Sequence, residues 1–243
     1  MRIFPGRPHS CLLDVWLPAK PDASPRARDI RLDALREVLV AAVQTDFYGE
    51  ALCEARLDRP QRVRMIRSLE DTLQRLPVQQ LPKWVPVPAA PPVRLLSNGR
   101  GRGLLRPVEI VAGPATALLN VEDVPQTVRR VAVWTRPNDA PLFESTRDLL
   151  WEAFQLPVFE ELIGFEGELL AAECDAHEAL HIEESTTVAE EIEGELVVTS
   201  LRSLAFPILR LRTGLFGGLV RGSCGCGRSA LRFVLSGAYP RIS

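Results

Sequence analysis

A chain of 243 residues with 46% hydrophobic side chains is long enough to bury the core of one large or two small domains. Its 29 basic and 31 acidic residues leave a formal charge of -2, so nothing draws the whole molecule toward nucleic acid. No apolar run approaches the roughly 18 to 20 residues of a bilayer span, and Pro5, Pro8 and Asp14 interrupt any signal-peptide pattern. With five cysteines and no secretory segment, the composition predicts a cytoplasmic protein in a reducing compartment, without membrane or nucleic-acid partners. Only Lys20 and Lys83 are lysines, which excludes chemistry that needs a mobile lysine later in the sequence.

From Ile30 to Arg56, Leu32, Leu35, Val38, Leu39, Ala42 and Val43 recur at helical spacing and predict one amphipathic helix. Ser68 with Asp71 is a capping-box variant that starts a second helix, running through Leu76 and stopped by Pro77. Pro77, Pro82, Pro86, Pro88, Pro91 and Pro92 then predict an extended connector, in which Pro88 and Pro91 read as rigid linker. It runs into Ser97-Asn98-Gly99-Arg100-Gly101-Arg102-Gly103, whose amides are able to cradle a phosphate, although a surface turn is the favoured reading.

Val108 to Ala112 reads as a strand, and Asp123 with Pro125 as the start of a short helix. Arg130 to Trp134 is a β-branched run. Ser145 or Thr146 caps a helix over Arg147 to Gln155, which Pro157 ends before a strand at Val158 to Ile163. Strand, helix and strand at this spacing predict a parallel crossover unit. Beyond Glu168 the period falls to two, with strands expected at Leu180–Ile182, Glu195–Thr199, Pro207–Leu211 and Leu231–Leu235. The glutamates from Glu183 to Glu195 read as a solvated loop beside a strand edge guarded by charge.

The expected fold is therefore α/β. N-terminal helices occupy 1–76, a Pro/Gly-rich connector 77–107, a partial parallel sheet with crossover helices 108–167, and a mostly antiparallel β subdomain 168–243. Two tight pairs of candidate ligands bracket that last region: Cys174 with His177, and Cys224 with Cys226. Brought together by a small sheet, they form a four-ligand cage suited to structural zinc, which takes sulfur and nitrogen donors and leaves no open position. His181 is the alternative fourth ligand. Alternation along Ala179-Leu180-His181-Ile182 favours reading it as a strand histidine.

Four segments in order, Glu173-Cys-Asp-Ala-His-Glu-Ala-Leu-His-Ile182, Gly194-Glu-Leu-Val-Val-Thr199, Phe206-Pro-Ile-Leu-Arg-Leu-Arg-Thr-Gly214 and Cys224-Gly-Cys-Gly-Arg228, resemble motifs of the phenylacetate-CoA ligase family of adenylate-forming enzymes. Such enzymes use ATP to make an acyl-adenylate and pass the acyl group to coenzyme A. The resemblance implies zinc at Cys174, His177, Cys224 and Cys226. It implies a remnant nucleotide site at Arg210, Arg212, Thr213 and Gly214, a degenerate phosphate loop at Ser97, Gly99 and Gly101, and Glu166 as the acid that helps to place metal-bound ATP.

The departures are chemical. The family's ribose-binding aspartate is replaced by Leu215, forfeiting charged hydrogen bonds of about 1.5 to 3 kcal/mol each. The phosphate loop lacks its threonines. The family's mobile lysine-bearing domain has no counterpart before Ser243. The expectation is a catalytically silent relative that serves as a zinc-stabilised binding module, self-associating or holding a heterologous partner, with ATP, AMP and CoA binding doubtful. A ligase completed by a partner polypeptide is the alternative.

Overall fold

The computed structural model describes residues 24–83, 85–97 and 108–236. It opens with four helices: α1 (Pro25–Ala42), α2 (Gly49–Glu54), α3 (Pro60–Arg64) and α4 (Leu69–Gln74). Ser24 caps α1 by accepting the Ala27 N–H at 3.2 Å, and Pro25 takes the first turn, where its missing N–H costs nothing. Leu35, Val38, Leu39 and Ala42 form the buried face.

The single helix expected over Ile30 to Arg56 is broken. The Thr45 hydroxyl donates to the Ala42 carbonyl at 2.8 Å, which satisfies the end of α1 and lets the chain turn before α2. Ser68 caps α4 as its spacing predicts, accepting the Asp71 N–H at 3.1 Å. Leu35, Leu39, Leu52, Leu57, Val63 and Leu73 build one core with Leu201 and Leu209. Tyr48 fastens that core to the β region, its hydroxyl accepting the Leu209 N–H at 3.0 Å.

The remaining elements are β1 (Arg94–Ser97), β2 (Val108–Gly113), α5 (Ala115–Leu118), β3 (Arg130–Thr135), α6 (Glu144–Phe154), β4 (Val158–Ile163), β5 (Leu169–Glu173), β6 (Leu180–Ile182), β7 (Thr187–Ile192), β8 (Glu195–Ser200), β9 (Leu211–Ser223) and β10 (Ser229–Leu235). They make one mixed, mostly antiparallel sheet of ten strands, in the order β1-β2-β3-β4-β5-β6-β10-β9-β8-β7. Only β2-β3 and β3-β4 pair in parallel, joined by crossovers through α5 and α6. Leu118 and Leu150 pack there on Val111, Val131, Val133 and Val158. The end of α6 is legible in the chain: Gln155 turns left-handed (φ 52°), its N–H donates to the Trp151 carbonyl at 2.7 Å, and Pro157 prevents continuation.

Four local expectations are overturned. Neither Ser145 nor Thr146 caps α6, which already begins at Glu144 behind Phe143 and has no side-chain cap. Asp123 caps no helix; the short helix lies earlier, at Ala115–Leu118, and Pro125 instead leads a turn in which its carbonyl accepts the Val128 N–H at 2.9 Å. Residues 207–210 form no strand, and β9 begins only at Leu211. Much of the glutamate run is strand: β7 carries Glu190 and Glu191 and pairs with β8, which begins at Glu195, through a two-residue turn, Glu193-Gly194, with φ of 58° and 76°, whereas Glu183 and Glu184 precede β7.

The sheet is continuous because β9 serves two neighbours, pairing with β8 near Leu211 and Phe216 and with β10 from Gly217 to Ser223. At the changeover a Cβ on Gly217 would lie 2.0 Å from the Val234 carbonyl oxygen, so only glycine admits the approach. Among the described residues, no helix is long and apolar enough to cross a membrane.

Candidate metal centre

Two hairpins of the sheet end side by side. The turn after β5 carries Cys174, and the turn joining β9 to β10 carries Cys224 and Cys226. Each is a knuckle built in the same way. His177 donates its N–H to the Cys174 carbonyl at 2.8 Å, and Gly227 donates to the Cys224 carbonyl at 2.8 Å. Inside each turn the amide two residues on, Ala176 or Cys226, favours the thiolate form of the leading cysteine. Both closing residues are left-handed, with φ of 50° at His177 and 82° at Gly227.

The sheet supplies the fourth donor. β6 lies between β5 and β10, and His181 faces Ala172 on one side and Arg232 on the other. Its neighbours Leu180 and Ile182 pack into the opposite core. Cys174 Sγ lies 3.6 Å from Cys224 Sγ, and Cys226 Sγ lies 3.6 Å from His181 Nε2. All four donor atoms fall within 4.8 Å of one another.

Zinc–sulfur bonds of about 2.3 Å and zinc–nitrogen bonds of about 2.0 Å at tetrahedral angles would set sulfurs about 3.8 Å apart, and sulfur and nitrogen about 3.5 Å apart. The Cys174–Cys224 and Cys226–His181 edges, both 3.6 Å, are close to those values, and the other edges lie within 4.8 Å, so the residues fit a zinc ion. His181 Nδ1 is buried without a hydrogen-bond partner, so strand pairing and not an acceptor behind the ring orients the imidazole.

The electrostatics agree with the geometry. Burial, reinforced by Arg228 and Arg232 against the pull of Glu178, depresses the His181 pKa and favours the neutral, ligating imidazole. Burial pushes the Cys174 thiol up. At Cys224 burial also acts upward, but the Cys226 amide, the neighbouring cysteines and Arg232 outweigh it and bring the thiol below its ordinary value.

Of the four predicted ligands the structure brings Cys174, Cys224 and Cys226 together and places His177 elsewhere; His181 completes the set. The His177 ring stacks on Phe159, with centroids 4.9 Å apart, and Nδ1 lies 3.0 Å from Glu173 Oε1. Glu173 also accepts from Arg147 at 3.1 and 3.2 Å and from the Glu160 N–H at 2.8 Å. Burial would raise the Glu173 pKa, but the His177 hydrogen bond and Arg147 prevail and hold it below the usual glutamate value.

The residues marked for nucleotide binding are occupied by the protein itself. Arg210 pairs with Glu190 at 2.9 Å and donates to the Leu76 carbonyl. Arg212 is forked between Glu193 and Glu195, each at 2.7 Å. The Thr213 hydroxyl donates to the Leu196 carbonyl at 2.8 Å, and the Gly214 N–H donates to Glu195 at 2.8 Å. Leu215 is 1% exposed and belongs to the core. Glu166 Oε1 accepts the Ala205 and Phe206 N–H groups, both at 2.9 Å, and so pins the loop before β9. Ser97 is the last residue of β1, paired with Val108, whereas Gly99 and Gly101 lie outside the described residues.

No protein-family model matches the sequence. No curated protein matches it either. Solved structures do match the fold. An open conformation of 2-hydroxyisobutyryl-CoA ligase in complex with 2-HIB-AMP and CoA aligns with a TM-score of 0.53 and 14% identity, covering 89% of this chain and 73% of that one. The same ligase in its thioesterification state gives 0.53 and 15%, over 89% of this chain and 71% of the other. In its postadenylation state with 2-HIB-AMP it gives 0.52 and 15%, over 89% and 70%. The narrower resemblance to phenylacetate-CoA ligases rests on the sequence motifs alone, and the fold resembles that of adenylate-forming CoA ligases.

Proposed function

We propose that this chain is a catalytically silent relative of the adenylate-forming CoA ligases, a binding or interaction module whose sheet is stapled by structural zinc at Cys174, His181, Cys224 and Cys226. The observation that carries this reading is the state of the segment from Arg210 to Leu215. Its arginines are spent on Glu190, Glu193 and Glu195, and the position that should accept the ribose hydroxyls is a buried leucine. Freeing Arg212 for a nucleotide would break an exposed contact to Glu193, worth about 0 to 1 kcal/mol, and would leave buried Glu195 without its cation.

A four-donor cage closes the coordination sphere, so the ion would serve as a cross-link between the β5-β6 and β9-β10 hairpins and not as a Lewis acid. Apolar side chains stand exposed around α6, at Leu149, at Trp151 on the other side of the helix, and at Phe143 just before its first turn. A second copy of the chain or a heterologous protein would cover such a surface, and neither nucleic acid nor a membrane is part of the reading.

The similarity extending over 89% of the chain favours a second reading, a ligase completed by a partner polypeptide. Equilibrium titration with ATP and magnesium separates the two. The silent module shows no saturable binding below about 1 mM, equivalent to a binding free energy of about -4 kcal/mol. Micromolar binding by the isolated chain would put the ligase reading first.

A further inference from the structure

We infer that Arg232 is a positioning residue of the metal centre, supplying the counter-charge that lets three thiolates hold a divalent ion in a buried site. The inference rests on the zinc reading above and adds to it a residue outside the ligand set. The β6-β10 register places Arg232 directly opposite His181, and directly opposed residues of an antiparallel pair project to the same face. The next pair, Phe233 with Leu180, faces the apolar core on the other side. Arg232 is therefore delivered to the cage by strand pairing, with its side chain only 14% exposed.

Its guanidinium meets two groups there. Nη1 lies 3.5 Å from Glu178 Oε2, and the guanidinium is near enough to Cys224 to favour its thiolate. Glu178 is itself a neighbour of the cage: Oε2 is 3.7 Å from Cys224 Sγ and accepts the Gly225 N–H at 3.4 Å. A Cβ on Gly225 would lie 2.8 Å from Glu178 Oε1, so the Cys-Gly-Cys turn is shaped to admit that carboxylate.

Charge counting explains why an arginine belongs here. Three thiolates, a neutral imidazole and a divalent ion leave one net negative charge, and Glu178 adds another beside it. An uncompensated charge in a site this buried is costly. Arg232 pairs with the carboxylate and favours the Cys224 thiolate, and Arg228 adds positive charge near His181. A cation so placed lowers the energy of the loaded centre, and the carboxylate acts in the opposite sense.

The test is competition for zinc between the full chain and a chromophoric chelator, with the rate of cysteine alkylation by N-ethylmaleimide as a second readout. Arg232→Met, which keeps the apolar stem, is expected to weaken zinc binding roughly 10- to 100-fold and to speed alkylation. Arg232→Lys is expected to stay within about three-fold of wild type, and adding Glu178→Gln to Arg232→Met to recover most of the loss. Wild-type affinity in Arg232→Met overturns the inference, as does equal loss in the Lys and Met variants with no recovery by Glu178→Gln. If Arg232→Met does not fold, Glu178→Gln alone decides: tighter zinc binding supports the counter-charge, and unchanged or weaker binding refutes it. Wild-type protein that takes up no zinc refutes the metal centre and Arg232 together, whereas zinc-binding variants indistinguishable from wild type refute Arg232 alone.

Discussion

His177 and Gly227 hold the same place in two equivalent turns. Each follows a cysteine by three residues, each is left-handed, and each returns its N–H to that cysteine's carbonyl at 2.8 Å. The equivalence explains why the nearer histidine stands outside the cluster. A residue that closes a knuckle from the left-handed region directs its side chain out of the cage, here toward Glu173 and Phe159, and such a conformation costs a non-glycine residue on the order of 1 to 3 kcal/mol.

The two histidines should therefore separate cleanly in zinc stoichiometry. His177→Gly is expected to retain about one zinc per chain, since glycine suits the turn. His181→Ala, and Cys224→Ser with Cys226→Ser, are expected to lose it. Elemental analysis of untagged protein is the check, and metal kept by His181→Ala but lost by His177→Gly would reverse the assignment.

Tyr48→Phe tests the link between the helical core and the sheet. It deletes the acceptor of the Leu209 N–H without opening a cavity, so a buried donor is left unpaired. The expected cost is about 1 to 3 kcal/mol in urea denaturation, with zinc content unchanged. A loss below about 0.5 kcal/mol would mean that Leu209 finds another acceptor.

Stability should also fall as pH rises above about 4.5, through Glu160. Burial raises its pKa above the usual 4.5, against the opposing Leu142 N–H and Arg147 and with help from Glu173. The folded state then binds a proton that the unfolded state has released, so this contribution is complete below about pH 4.5 and is lost as pH rises through the elevated folded value. Glu160→Gln keeps an acceptor for the Leu142 N–H and removes the titration. Urea denaturation across pH should show a flatter profile for the variant, and identical slopes would place the pH dependence elsewhere.

The parts of the fold that were legible in the sequence are those where local signals agree. β3, α6 and β4 were readable because a β-branched run, helical spacing and Pro157 point the same way. β7 was hidden because its glutamates look like a solvated loop, and only the sheet supplies Arg210, Arg212 and Arg221 to pair with Glu190, Glu193, Glu195 and Glu184. The Glu193-Gly194 turn lacks the asparagine or aspartate that usually advertises a two-residue hairpin.

Three members of the Cys/His cluster were legible from cysteine spacing, and the fourth was not. Alternation gives His181 a face opposite Leu180 and Ile182, but which face carries the cage depends on β6 lying between β5 and β10. A usable signal was present: Gly227 marks the left-handed close of the second knuckle, and the first knuckle requires the same at His177. Arg232 was beyond reach, because nothing local couples it to a cysteine eight residues earlier.

ATP–pyrophosphate exchange by the zinc-loaded chain, run against aryl and short acyl acids, tests the silent-module reading most directly. Adenylation needs the ribose held and the phosphates cradled, and most of its rate comes from that positioning. With Leu215 in the core and Arg212 held by Glu193 and Glu195, losses of about 2 to 3 kcal/mol at each of two or three contacts would slow the reaction by roughly three to six powers of ten. The account predicts exchange no faster than a protein-free control. Acid-dependent exchange above that control, abolished by Arg212→Met, would contradict it.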